Sequence, residues 1–131
     1  HNQRNYESST VQKSIHAGWS ESLKLANKAE IERDRIILDP GFGFGWLTEE
    51  NLKMLRSFHE FQSCQLPLLL GPSRKSTLGI VLGDLPTEER LEGTVAASVL
   101  AVARGADIVR VHDVFEVSRA LKVADAVVRG S

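Results

Sequence analysis

The sequence predicts an α/β fold built on a parallel sheet, and three observations carry that prediction. Apolar, branched runs occur at 35–39 (RIILD), 66–71 (LPLLLG) and 107–112 (DIVRVH), each followed by loop residues and then a longer helical pattern. Within each run the apolar residues are consecutive rather than alternating, as expected of strands covered by helices on both faces. The runs are separated by roughly 30 to 40 residues, the length of one strand-helix-strand crossover.

The helices follow from apolar residues at steps of three or four. Val11, Ile15, Trp19, Leu23 and Ala26 mark a first helix that precedes any strand; Gly18 inside it should weaken it by about 1 kcal/mol relative to Ala. Leu52, Leu55, Phe58 and Phe61 mark the helix after the first run. After the second run, a short apolar segment at 78–82 begins a helix near Ser76. Leu91, Val95, Val99 and Val102 then mark another, with Pro86 near its start and Gly105 just past its end. Val114, Val117, Leu121, Ala124 and Val128 mark the last. These stripes read as helix-to-sheet packing rather than as ligand boxes. No linker or low-complexity tract interrupts the chain, so residues 1–131 are expected to form part of a single domain with no second one. Three parallel strands alone would leave two apolar edges open, and the first helix has no strand to cross over from, so further strands are expected upstream.

Composition narrows the function. A formal net charge of -1 gives no basic excess that would recommend nucleic acid or an anionic membrane as partner. No apolar run approaches the ~20 residues that span a bilayer, and the N-terminus carries no apolar signal core. The single cysteine, Cys64, excludes an intrachain disulfide and reads as a plain thiol near a helix end, which fits a reducing, cytoplasmic setting. A small-molecule site suits this chain better than a macromolecular interface.

Polar groups cluster where α/β enzymes place their sites, at the C-terminal ends of the strands. Asp39 ends the first run, Ser73, Arg74, Lys75 and Ser76 follow the second, and Arg110 and His112 end the third. Arg110 and His112 lie two apart on a strand and so share a face. An anion between them, phosphate above all, would relieve their mutual repulsion and use the guanidinium fork. The structural alternative pairs Arg110 with Asp113 or Asp107 and leaves His112 as a satisfied core histidine. Glycines and phenylalanines alternate at 40–45 (PGFGFG), which suits close backbone approach and flat apolar walls for a planar ring, though it is neither a P-loop nor a dinucleotide fingerprint. Asp39 could accept two hydrogen bonds from adjacent N–H donors or cap its own turn. Lys75 could contact a heterocycle and Arg74 an anionic second substrate, unless this is only a solvated basic turn.

Taken together, DPGFGFG at 39–45, GPSRKS at 71–76 and RVHD at 110–113 closely resemble dihydropteroate synthase, in order and in spacing, and the likeness covers essentially the whole chain, including the opening HNQ. The resemblance implies a TIM (β/α)₈ barrel of about 250 residues, of which this chain supplies the last three strand-helix units and a preceding helix. It implies condensation of 6-hydroxymethyl-7,8-dihydropterin pyrophosphate with p-aminobenzoate, giving 7,8-dihydropteroate and pyrophosphate. By the same likeness Asp39 and Lys75 hold the pterin, Arg110 and His112 grip the pyrophosphate, and Gly43, Phe44, Arg74 and Ser76 surround p-aminobenzoate, where sulfonamides compete. Magnesium is implied with ligands upstream of this chain and none within it, and the resemblance also implies a homodimer through the later helices.

Trp46 departs from the lysine usual at that place in the family, and the family's first two loops are lacking. The chain alone is therefore expected to be an incomplete catalyst. The alternative is a non-catalytic or partner-dependent half-barrel paralogue. A related pterin-binding methyltransferase is disfavoured by the SRK and RVHD segments.

Overall fold

The computed structural model describes residues 2–130, with side chains described from Thr10 onward. The long helix α1 (Asn2–Lys28) opens the chain, so Asn2 and Gln3 of the HNQ segment are helical and His1 lies outside the described residues. Next come α2 (Thr48–Arg56), a 3-10 segment (Phe58–Cys64), strand β1 (Leu69–Leu70) and the short helix α3 (Ser76–Val81). Helix α4 (Leu91–Ala103), strand β2 (Ile108–Val109) and helix α5 (Val114–Arg129) complete it.

The three predicted strands are parallel and neighbour one another in chain order, with the middle run at the centre. Leu69 pairs with Ile108 and Leu70 with Val109. The first run is reduced to one bridge, Leu38 to Leu68, through Leu38 N–H to the Pro67 carbonyl and Leu69 N–H to the Leu38 carbonyl. The ladder is shorter than the apolar runs, and each outer run has a strand partner on one side only among the described residues.

The core lies between these segments and α1, α2 and the 3-10 segment. Val11, Ile15 and Trp19 of α1 are buried, as their spacing requires, against Phe58, Phe61, Met54 and Leu55. Trp19 and Phe61 meet edge to face at 4.8 Å, and Phe58 and Phe61 at 5.3 Å, the arrangement that sets one ring's positive rim on another's negative face. Burying each such side chain contributes on the order of 1.5–3 kcal/mol.

Two stripes fall differently from their periodicity. In α4 the buried residues are Thr94, Ala97, Ser98, Ala101 and Val102, while Leu91, Val95 and Val99 are only partly buried. This helix is apolar nearly all round, so spacing alone does not choose a face; small side chains let its backbone approach closely. In α5 only Val117 and Ala124 are buried, and Val114 and Val128 are exposed. Among the described residues no helix is long and apolar enough to cross a membrane.

Candidate active site

The loop between 39 and 47 is shaped by its glycines and by one buried amide. Asp39 Oδ1 accepts the Gly41 N–H at 2.8 Å, so this carboxylate does cap its turn, and the residue is exposed. Gly43 adopts φ +82, and a Cβ there would stand 2.8 Å from Lys75 Cδ; only glycine allows the lysine stem to lie against this loop. Asn51, 2% exposed in α2, accepts the Gly43 N–H at 2.9 Å and donates to the Trp46 carbonyl at 3.4 Å and to Thr77 Oγ1 at 2.9 Å. One side chain thus fastens the loop to α3. Trp46 is half-buried against the core and donates from Nε1 to the Pro40 carbonyl at 3.3 Å, so at this position an indole closes the loop.

The turn after β1 is held as firmly. Arg74 sits at φ 55, a left-handed conformation costly for a residue with a Cβ. Three partners hold it there. Its N–H donates to Thr94 Oγ1 at 3.0 Å, its carbonyl accepts Arg90 Nη1 at 2.8 Å, and its guanidinium grips Asp113 through Nε (3.2 Å) and Nη2 (2.7 Å). The hydrogen bond and charge of Asp113 push the Arg74 pKa up, and those of Arg74 hold the Asp113 carboxyl below its usual range. The turn delivers Lys75 to one side and starts α3 at Ser76, which is exposed.

At the strand ends Gly71, Ser73, Lys75, Arg110, Val111 and His112 line a pocket of about 140 Å³. Arg110 lies across the end of β1, where a Cβ on Gly71 would be 3.0 Å from its Nη2. The acids that might neutralise Arg110 are engaged elsewhere. Asp113 holds Arg74, and Asp107 accepts the Leu68 N–H at 3.0 Å and faces Arg129 at 3.5 Å. The structural alternative for Arg110 is therefore not what forms, and no ion pair of Arg110 is found among the described residues. Lys75 is half-buried, and its pKa is pushed down by burial first and by the Arg110 charge second, with Asp39 opposing. Its Nζ lies 3.6 Å from the centre of the Phe44 ring, a cation–π contact. His112 Nδ1 is 2.7 Å from Ser73 Oγ.

The structure therefore brings Lys75, Arg110 and His112 to one pocket and sets Gly43 and Phe44 against Lys75. Asp39 acts on Lys75 through its charge. Arg74 is turned to Asp113 and away from the pocket lining, and Ser76 lies beyond it. Sequence reasoning missed Asn51, Thr94 and Arg90, which hold the groups around the pocket, and placed Ser73 at the strand end without its bond to His112. Ser73 stands within the GPSRKS segment; Asn51 and Thr94 carry no signal apart from being polar within helical stripes. Among the described residues no group of three His, Cys, Asp or Glu side chains converges as a metal site, and the pocket's Lys, Arg and His do not suit a divalent cation.

The chain is similar to known proteins along nearly its whole length. A dihydropteroate synthase from Clostridium beijerinckii is 44% identical over 130 residues, covering 98% of this chain and 48% of its own length. A solved Coxiella burnetii dihydropteroate synthase in complex with pteroic acid superposes with a TM-score of 0.88 at 42% identity, covering 95% of this chain and 46% of that one. A Yersinia pestis dihydropteroate synthase with a sulfonamide drug complex gives a TM-score of 0.88 at 36% identity, over 92% of this chain and 44% of that one. The chain thus spans about half the length of these relatives, and its fold is part of a (β/α)₈ barrel. The model of the pterin binding enzyme family matches residues 1–112, and the chain belongs to that family.

Proposed function

We propose that this chain supplies the C-terminal strand-helix units of a dihydropteroate synthase and that its strand-end pocket takes the pyrophosphate of dihydropterin pyrophosphate. The observation that carries the reading is Arg110: it lines a pocket with Lys75 and His112 while the neighbouring acids serve other partners. A dianionic or trianionic group would supply the missing charge. In the reaction the pterin methylene–oxygen bond breaks, pyrophosphate leaves with the electron pair, and the amine of p-aminobenzoate attacks the methylene and loses a proton. Arg110 and His112 would stabilise charge growing on the leaving group. Lys75 and Asp39 would orient the pterin, and Gly43, Phe44, Arg74 and Ser76 would border p-aminobenzoate. Magnesium, if used, would draw its ligands from outside these residues and supply charge stabilisation to the pyrophosphate.

The solved relatives bind pteroic acid or a sulfonamide drug, which supports a pterin and an arylamine as ligands of this site too. A cytoplasmic homodimer belongs to the same reading. The exposed Phe115, Val123 and Val127 on α5 support the contact. The test is pterin affinity in Lys75→Ala, measured by titration in the full-length protein: a clear weakening is expected, and unchanged affinity would remove Lys75 from the site.

A further inference from the structure

Ser73 is 7% exposed and its hydroxyl meets His112 twice. Oγ accepts the His112 backbone N–H at 2.9 Å and lies 2.7 Å from Nδ1 of the same residue's ring. A serine has one proton to give and two lone pairs. One lone pair is filled by the backbone N–H. If Nδ1 carried the ring proton, it would fill the second, and the hydroxyl proton would then need another acceptor in a buried place. Among the described residues Ser73 Oγ has none. Among the protein's own groups, the arrangement that gives the hydroxyl proton an acceptor has Ser73 O–H donating to a bare Nδ1, which places a neutral ring's proton on Nε2. That nitrogen has no partner among the described residues, and His112 borders the pocket.

We propose that Ser73 is a positioning residue that fixes the tautomer of His112, so that Nε2–H faces the pocket as a hydrogen-bond donor to a phosphate oxygen. This rests on the reading of the pocket as a pyrophosphate site for its ligand, and on the geometry alone for the tautomer. The device has a clear use. Lys75 and Arg110 already put two cations at the pocket, and an Nε2–H aimed there gives the anion a further directional contact. Because Ser73 also holds the His112 backbone, ring and main chain move together with the turn after β1, and that turn is fixed by the bonds made by Arg74.

The test uses the full chain labelled with ¹⁵N-histidine. Long-range proton–nitrogen NMR reads the tautomer without any ligand, and the His112 signals are assigned by their loss in His112→Gln. The expected result is an Nε2–H ring in the wild type, a tautomer mixture in Ser73→Ala, and retention of Nε2–H in Ser73→Thr, which keeps the hydroxyl. Inorganic pyrophosphate should bind Ser73→Ala about tenfold more weakly, a loss of about 1.4 kcal/mol. An Nδ1–H ring in the wild type, or an unchanged spectrum in Ser73→Ala, overturns the proposal. Should the variants fail to fold, the wild-type spectrum alone decides. Failure of the wild type to bind pyrophosphate would instead overturn the ligand, a separate outcome because the tautomer is measured in its absence.

Discussion

Around Phe61 each aromatic group has found its complement: Trp19, Phe58 and His16 meet its ring at 4.8, 5.3 and 5.5 Å, and Phe58 and Phe61 are wholly buried. At the strand ends the reverse holds. Burial first and the Arg110 charge second depress the Lys75 pKa against the pull of Asp39, and the acids beside Arg110 are committed to Arg74 and Arg129. One region is closed by its own side chains, and the other is left electrically incomplete while its supports are locked. Groups that a protein could neutralise for its own stability and does not are where a ligand is expected.

That contrast can be broken by mutation. Phe61→Ala should cost about 3–5 kcal/mol, from lost burial and the cavity left behind, with a denaturation midpoint as the readout; a cost near that of a surface substitution would mean the aromatic cluster is not what holds α1. Asn51→Ala should cost about 1–3 kcal/mol by leaving the Gly43 N–H and Thr77 hydroxyl without their bonds. It should also loosen the glycine-rich loop, seen as faster amide hydrogen exchange at Gly43; unchanged exchange would show that the loop is held by its glycines and Trp46 instead.

The lysine tests the other side of the comparison. The folded Lys75 pKa lies below the value of about 10.4 expected in the unfolded chain, so the unfolded state holds the extra proton across that window. The Lys75 contribution to stability should therefore rise as pH climbs from the folded pKa toward 10.4. Lys75→Met should remove that slope when unfolding free energies at pH 8 and pH 10 are compared, and an identical slope in both proteins would contradict the depressed pKa. The smallest effect is expected at Gly18, exposed within α1 with nothing within 4 Å of its would-be Cβ. Gly18→Ala should gain up to about 1 kcal/mol and leave the pocket unaffected; a loss of stability would show that α1 needs the glycine.

Much of this was legible in the sequence because it depends on spacing. The three parallel runs, the α1 stripe through Val11, Ile15 and Trp19, the start of α3 at Ser76 and the convergence of Lys75, Arg110 and His112 all follow from short-range pattern and from where parallel strands end. What was not legible depends on three-dimensional choice. Spacing proposed Leu91, Val95 and Val99 for the buried face of α4, but an all-round apolar helix buries the side on which Thr94 meets the Arg74 N–H. Strand length is not in the pattern either: runs of five or six residues yield a two-residue ladder and a single bridge. Nothing local reveals that Asp113, 39 residues later, grips Arg74. Ser73 and Asn51 look like ordinary polar residues until their buried partners are seen.

The central claim is that the strand-end pocket takes pyrophosphate through Arg110, and calorimetric titration of inorganic pyrophosphate into the wild type and Arg110→Ala tests it most directly. Loss of charge-assisted hydrogen bonds worth about 1.5–3 kcal/mol should weaken binding roughly 10- to 100-fold, while the melting temperature changes little because Arg110 is exposed and makes no ion pair among the described residues. Equal affinity in the two proteins, or a fall in affinity matched by an equal loss of folding, would contradict it.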